Sequence, residues 1–307
     1  MADIVCLTET WNVILGTDIE QENSSNQSNN ATLYHYTSPE GLRGIIERKT
    51  LWAGDVWFMN DSREALYGLE FMCETLRDYR PASAVEEKVR SQTLGLLRDV
   101  EQNTDRLPRS YIACLSRKKN QLSQWRAYGR PRGFSVGFDY GDLEGDTHLL
   151  SSPGLSPSLR DVVYKRKQQR DMFQGIFDAA VTDTQRFIDE TIAAVDLANG
   201  FLVDALALAT SFKDRAFEEE EEVRIQLFTG GPAQESADLK FRDGAMGLTP
   251  YVEIQLAPPG ATIIPALREI IVGPQSNEAE TLRAVRQLLA KNGYDEVDVQ
   301  PSNVPLR

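Results

Sequence analysis

The chain has 307 residues, 41% of them hydrophobic and 26% charged, a composition that belongs to folded globular proteins and sets disorder aside. Asp and Glu number 46 against 33 Lys and Arg, and the net charge of −13 repels phosphate backbones, so nucleic acid is a partner only through a local basic path. No run approaches the roughly 18 apolar residues of a membrane span, and Asp3 and Glu9 stand where a secretory signal carries Lys or Arg, so a cytoplasmic protein without a membrane partner is expected.

Residues 1–32 read as an arm and linker. QENSSNQSNNA (21–31) is polar and has nothing to bury, while Trp11, Val13, Ile14 and Leu15 are too few to fold alone and are expected to pack on the body. Residues 33–307 read as one domain that switches between short strands and helices. LYHYT alternates as a strand, and Ser38 and Pro39 then supply an N-cap and a first helical position for a helix that stops near Lys49. LWAGD and VWFMN read as a strand and its continuation. DSREALYGLEFMCETLRDYR places Ala65, Leu66, Leu69, Met72 and Leu76 at helical spacing, and a second helix follows from Ser83. SYIACLS, GFSVGFDY and DVVYKRK are strand candidates. Residues 169–211 read as a helical pair broken near Asn199-Gly200. EVRIQLF, YVEIQL and REIIVG are strands, a helix follows with its stop at Gly293, and VDVQPS is a last strand. The order is not strictly βαβ and no phosphate loop is present. An α+β fold with a central mixed or antiparallel sheet and helical insertions is therefore expected.

Four places carry chemistry. His148 sits in a Gly- and Ser-rich loop and reads as a surface residue, whereas His35 lies within a strand, on one face with Leu33 and Thr37, while Tyr34 and Tyr36 point the other way. FKDRAFEEEEEVRIQLF holds five glutamates. If Val223, Ile225 and Leu227 face the core, then Glu220, Glu222, Arg224 and Gln226 share the opposite face, and the two carboxylates repel so that the pKa of one rises. Asn60, Asp61 and Glu64 stand at a strand-to-helix junction, where they read either as helix capping or as part of a site. Trp125, Arg126, Tyr128, Arg130 and Arg132 form a basic, aromatic stretch suited to a polyanion or ligand loop. Cys6, Cys73 and Cys114 have neither disulfide nor zinc spacing and read as buried thiols, and no metal site is expected.

HYTS followed by IIE-x-x-x-LWAGD, then FMNDSRE, W-x-x-Y-G before GFSVGFD, FK-x(8)-E-x-E-x-R, IIVGP and a closing S-x-x-P-x-R together resemble a bacterial family of domains of unknown function. That family is similar, at greater distance, to the ADP-ribosyltransferases. The similarity implies a split sheet around a cleft that takes NAD as substrate, with His35, beside Tyr36 and Thr37, anchoring a ribose. It implies that Tyr36, Trp57, Trp125 or Tyr128 stacks on the nicotinamide, that Asn60 and Arg224 support the cofactor, and that Glu222 is the catalytic carboxylate with Glu220 its partner. His35 and Glu222 are then expected to face each other across neighbouring strands. The activity implied is transfer of ADP-ribose to a macromolecular acceptor, a protein or a single-stranded nucleic acid, in a toxin or anti-phage effector restrained by an inhibitor or antitoxin. NAD hydrolysis and a non-enzymatic binding module that keeps the fold are the alternatives.

Overall fold

The structure, a computed structural model, describes residues 31–59, 62–102, 108–129, 132–144, 155–187, 204–232, 239–244, 247–275 and 277–305. The apolar arm, Asn60, Asp61, Arg130, His148 and the Asn199-Gly200 break lie outside these residues.

The first helix forms for the reasons its sequence gives. Ser38 Oγ accepts from the Gly41 N–H at 3.2 Å, Pro39 opens α1 (Pro39–Arg48), and Lys49 closes it in the left-handed region at φ 58°. Four longer helices follow: α2 (Ser62–Asp78), α3 (Ala84–Gln102), α4 (Arg166–Phe187) and α5 (Glu278–Lys291). The strands are β1 (Thr32–Thr37), β2 (Thr50–Asp55), β3 (Pro108–Ser116), β4 (Phe134–Asp139), β5 (Leu155–Asp161), β6 (Glu222–Pro232), β7 (Lys240–Gly244), β8 (Gly247–Gln255), β9 (Leu267–Val272) and β10 (Asp298–Pro301). All pair antiparallel except β9 with β10, so the fold is a mixed α and β architecture on a largely antiparallel sheet.

That sheet forks. β3 has three neighbours, and a strand has only two edges. β6 follows one edge from Pro108 to Ser116. β2 and β1 share the other, β2 at Tyr111 and Ile112 and β1 at Ser116 alone. One wing then runs β1–β4–β9–β10 and the other β2–β8–β7.

Alternation sorts the two faces. Leu33, Ala53, Ala113, Val136, Ile225, Ile254 and Ile270 point into a core closed by Leu42, Ile45 and Ile46 of α1 and Val285 and Leu289 of α5. A second cluster packs Phe71, Met72, Leu97, Phe173, Phe177 and Phe212 between α2, α3, α4 and residues 204–212. That last segment lies over β6, where the Arg224 guanidinium donates to the Thr210 carbonyl at 2.6 Å and the Gln226 amide to the Ala207 carbonyl at 3.1 Å.

Three expectations are corrected and one strand is added. VWF is a 3-10 turn and does not continue β2, because the Asp55 carboxylate caps the Trp57 N–H at 3.0 Å and turns the chain. DVVYKRK contributes one isolated bridge, Val163 with Phe212, since β5 ends at Asp161 and α4 begins at Arg166. KFRDG, passed over for its polarity, is the edge strand β7, which buries none of its side chains. Glu220 is not on β6 at all: it ends a 3-10 turn, Arg215–Glu220, and Glu221 at φ 40° breaks the pleat before Glu222.

Candidate functional site

A small cleft of about 60 Å³ opens at the fork, lined by Tyr34, His35 and Tyr36 of β1, Cys114 and Leu115 of β3, Gln124, Tyr128, Glu220 and Glu222. His35 and Glu222 therefore share one cavity. Register alone would put Tyr34 on the Glu222 face, because Tyr34 pairs with Ser116 and Ser116 with Glu222. β1 keeps only that single pair with β3, and the gap it leaves beyond it holds the His35 ring.

The ring is fixed by the fork itself. His35 Nδ1 lies 2.9 Å from the Cys114 carbonyl, which falls between the stretches of β3 taken by β2 and β1. A carbonyl only accepts, so Nδ1 carries the proton and Nε2 is left as the acceptor. Burial, opposed by that hydrogen bond and aided by the Arg242 charge, pulls the imidazole pKa below its ordinary value and keeps the ring neutral at physiological pH.

Opposite stands a buried group of four charges. Arg224 grips Glu222 with two donors, Nε to Oε1 at 2.7 Å and Nη2 to Oε2 at 2.9 Å. Lys213 donates to Glu220 at 2.6 Å and to Glu222 at 3.1 Å. Burial alone would raise the Glu222 pKa; the Arg224 guanidinium, then Lys213 and the Cys114 thiol, outweigh it and hold the carboxyl down to about 2. The sequence reading had one carboxylate of this pair pushed upward; for Glu222 the Arg224 guanidinium, joined by Lys213, which that reading missed, turns the shift downward.

Lys213 is itself locked in place. Its carbonyl accepts from the Gln169 amide at 3.0 Å and its N–H donates to the Val163 carbonyl at 3.2 Å. The Glu222 N–H in turn donates to the Tyr164 hydroxyl at 2.9 Å, and the Ser116 hydroxyl to the Glu220 carbonyl at 2.6 Å.

The aromatic candidates separate. Trp125 is buried edge-on against Tyr36, with ring centroids 4.8 Å apart, and its indole N–H donates to Asn120 at 2.7 Å. Asn120 also accepts from Ser302 of the closing S-x-x-P segment at 2.7 Å. The Tyr36 hydroxyl donates to the Lys118 carbonyl and accepts from the Gln121 N–H. Trp57 packs beside Val56 and Ile112. Tyr128 alone of the four is exposed, at the cleft rim, while its hydroxyl is desolvated enough to raise its pKa. Thr37 sits at the end of β1 and does not line the cleft. Of the basic stretch, Arg126 and Arg132 are exposed while Trp125 is committed to packing.

Two residues that touch Glu222 or its strand escaped sequence reading. Cys114, taken for a buried thiol, is half-buried in the cleft wall as the cross-strand partner of Arg224. Lys213 lay in view in FKDRAF, but nothing local shows that its side chain turns back to both glutamates.

Residues 124–225 match the model of a family described as a protein of unknown function (DUF2971). The match takes in the W-x-x-Y-G turn, GFSVGFD and the E-x-E-x-R run, and over that third of the chain it bears out the resemblance to a family of domains of unknown function. No curated protein and no solved structure matches the chain. Among the described residues no helix is long and apolar enough to cross a membrane.

Proposed function

We propose that the cleft takes NAD and cleaves the bond between nicotinamide and ribose, passing ADP-ribose to a macromolecular acceptor. The observation that carries this reading is the meeting of a neutral first-strand His35 and an ionised late-strand Glu222 in one cavity at the mouth of a forked sheet. His35 Nε2 is suited to accept from a ribose hydroxyl. As the C1′–N bond breaks, its electron pair leaves with nicotinamide and the ribose becomes an oxocarbenium ion. A carboxylate fixed opposite stabilises that cation, and an acceptor nucleophile then bonds to C1′ and sheds its proton. Glu222 meets the requirement of being ionised at any neutral pH. Tyr128, exposed at the rim, is the aromatic best placed to lie against nicotinamide. The toxin or anti-phage setting, with its inhibitor or antitoxin, follows the same resemblance.

The test is incubation with NAD labelled in the adenylate half, with a cell extract as acceptor source, split into nuclease-treated and protease-treated halves. Label should join a macromolecule, and Glu222→Gln should lower the rate by at least about 100-fold, as when one preorganised electrostatic group is lost. Free labelled ADP-ribose with nothing modified would point instead to hydrolysis.

One observation favours a second reading, a binding module that has kept the fold. Both glutamates are matched by Lys213 and Arg224, so the four charges sum to zero and hold β6 to residues 210–213. On that reading Glu222→Gln lowers the melting temperature, and millimolar NAD leaves it unmoved in the parent protein.

A further inference from the structure

Arg48 in the last turn of α1 and Arg242 on the edge strand β7 both lie over the indole of Trp52 on β2, their guanidinium carbons 5.3 and 6.0 Å from its centroid. Tyr251 of β8 packs on the same indole at 4.5 Å and braces it. The two cations therefore stand no further apart than those two distances together allow.

Arg242 reaches far to arrive there. It pairs with Thr249 on β8, and its guanidinium crosses that strand to end 3.6 Å from where a Cβ would stand on Gly54 of β2. Gly54 pairs with Ile112 at the fork, so the charge is delivered next to the cleft. Arg48 likewise folds back to 2.9 Å from where a Cβ would stand on Gly44. At Gly44 a Cβ would crowd the Arg48 guanidinium, whereas at Gly54 it would only touch that of Arg242.

Like charges converge at a cost unless an anion joins them. The acid on that face of the wing, Glu253, is taken by Lys240 at 2.6 Å, and among the described residues neither arginine has a carboxylate within ion-pair reach. Behind the cleft wall the cations Lys213 and Arg224 are spent on Glu220 and Glu222. An anionic ligand reaching His35 has to find its positive charge outside the four-charge group, and Arg242 of the Trp52 pair is near enough for its charge to act on the imidazole.

We propose that Arg48, Arg242 and Trp52 form a diphosphate site on the β2 wing, which holds the pyrophosphate of a nucleotide whose sugar reaches His35. The nucleotide assignment rests on reading the cleft as a dinucleotide site. Two fork-shaped donors match two adjacent phosphates, and a chain of net charge −13 repels a long polyanion that one such pair would have to offset alone.

Calorimetric titration of the full chain with ADP, with inorganic pyrophosphate and with a single-stranded oligonucleotide tests it. ADP and pyrophosphate should bind, and Arg242→Gln and Arg48→Gln should each weaken both by about tenfold or more, the loss of one charge-assisted phosphate contact. Arg242→Lys should recover only part, because a point charge replaces a fork. Unchanged ADP affinity in both Gln variants, at unchanged melting temperature, overturns the proposal. So does an oligonucleotide that binds where ADP and pyrophosphate do not. If NAD is never cleaved yet pyrophosphate binding still falls in the Gln variants, the enzymatic reading fails and the diphosphate site stands.

Discussion

Lys213 donates to two carboxylates at once from a side chain that is 2% exposed. Removing one partner of such a group leaves an uncompensated buried charge, so Lys213→Met should destabilise the fold by about 3–5 kcal/mol in urea denaturation, with Lys213→Arg recovering much of it. The same contacts set an acid limit. Glu222 has its carboxyl held down from 4.5 to about 2, so its contribution is present above 4.5 and is lost as pH falls from there through about 2. By that linkage it is on the order of 3 kcal/mol, and Glu222→Gln should flatten the acid limb of a stability-against-pH curve. An acid limb of equal slope in the variant would refute the assignment. His35 could be singled out as a histidine within an alternating strand, and the face of Glu222 follows from its parity with Val223, Ile225 and Leu227. Lys213 and Cys114 were not legible, since their importance comes from what the chain brings beside them across the fold.

At the scale of elements, periodicity served wherever one face is buried. β6 was read correctly over Val223, Ile225 and Leu227, and α1 was legible from its caps. The reading failed at Glu220, because five identical glutamates carry no mark of where the pleat begins, and one left-handed residue, Glu221, decides it. β7 escaped for a related reason: an edge strand that buries nothing has no alternation to read. The segment over β6 carries its own test. Asp204 lies in helical residues 204–209, and burial, only partly offset by Arg160, pushes its carboxyl up to about 7. A raised acid adds stability below its unfolded value, near 4, and loses it as pH climbs through about 7. Asp204→Asn should therefore flatten the decline in melting temperature between those limits and leave the variant the more stable one above them.

At the scale of the molecule, the three-neighbour junction at β3 was beyond any local pattern. Each of its strands is an ordinary alternating run, and only long-range pairing shows that β1 and β2 claim one edge between them. What fills the gap is a single imidazole on the Cys114 carbonyl. His35→Ala leaves that carbonyl without its partner, and a loss of about 1–3 kcal/mol is expected. Amide exchange should quicken first at the β1 and β3 amides that face each other across the gap, while those in the β1–β4, β4–β9 and β3–β6 ladders stay protected.

A fork of this kind behaves like two leaves bound to one spine. The β1 leaf and the β2 leaf are joined by strand pairing only through β3, so a small rotation of one against the other costs few hydrogen bonds and is resisted chiefly by the apolar core they share under α1. A molecule that touches His35 on one leaf and Trp52 on the other would staple them, and its binding would be felt as stiffness well beyond the atoms it contacts.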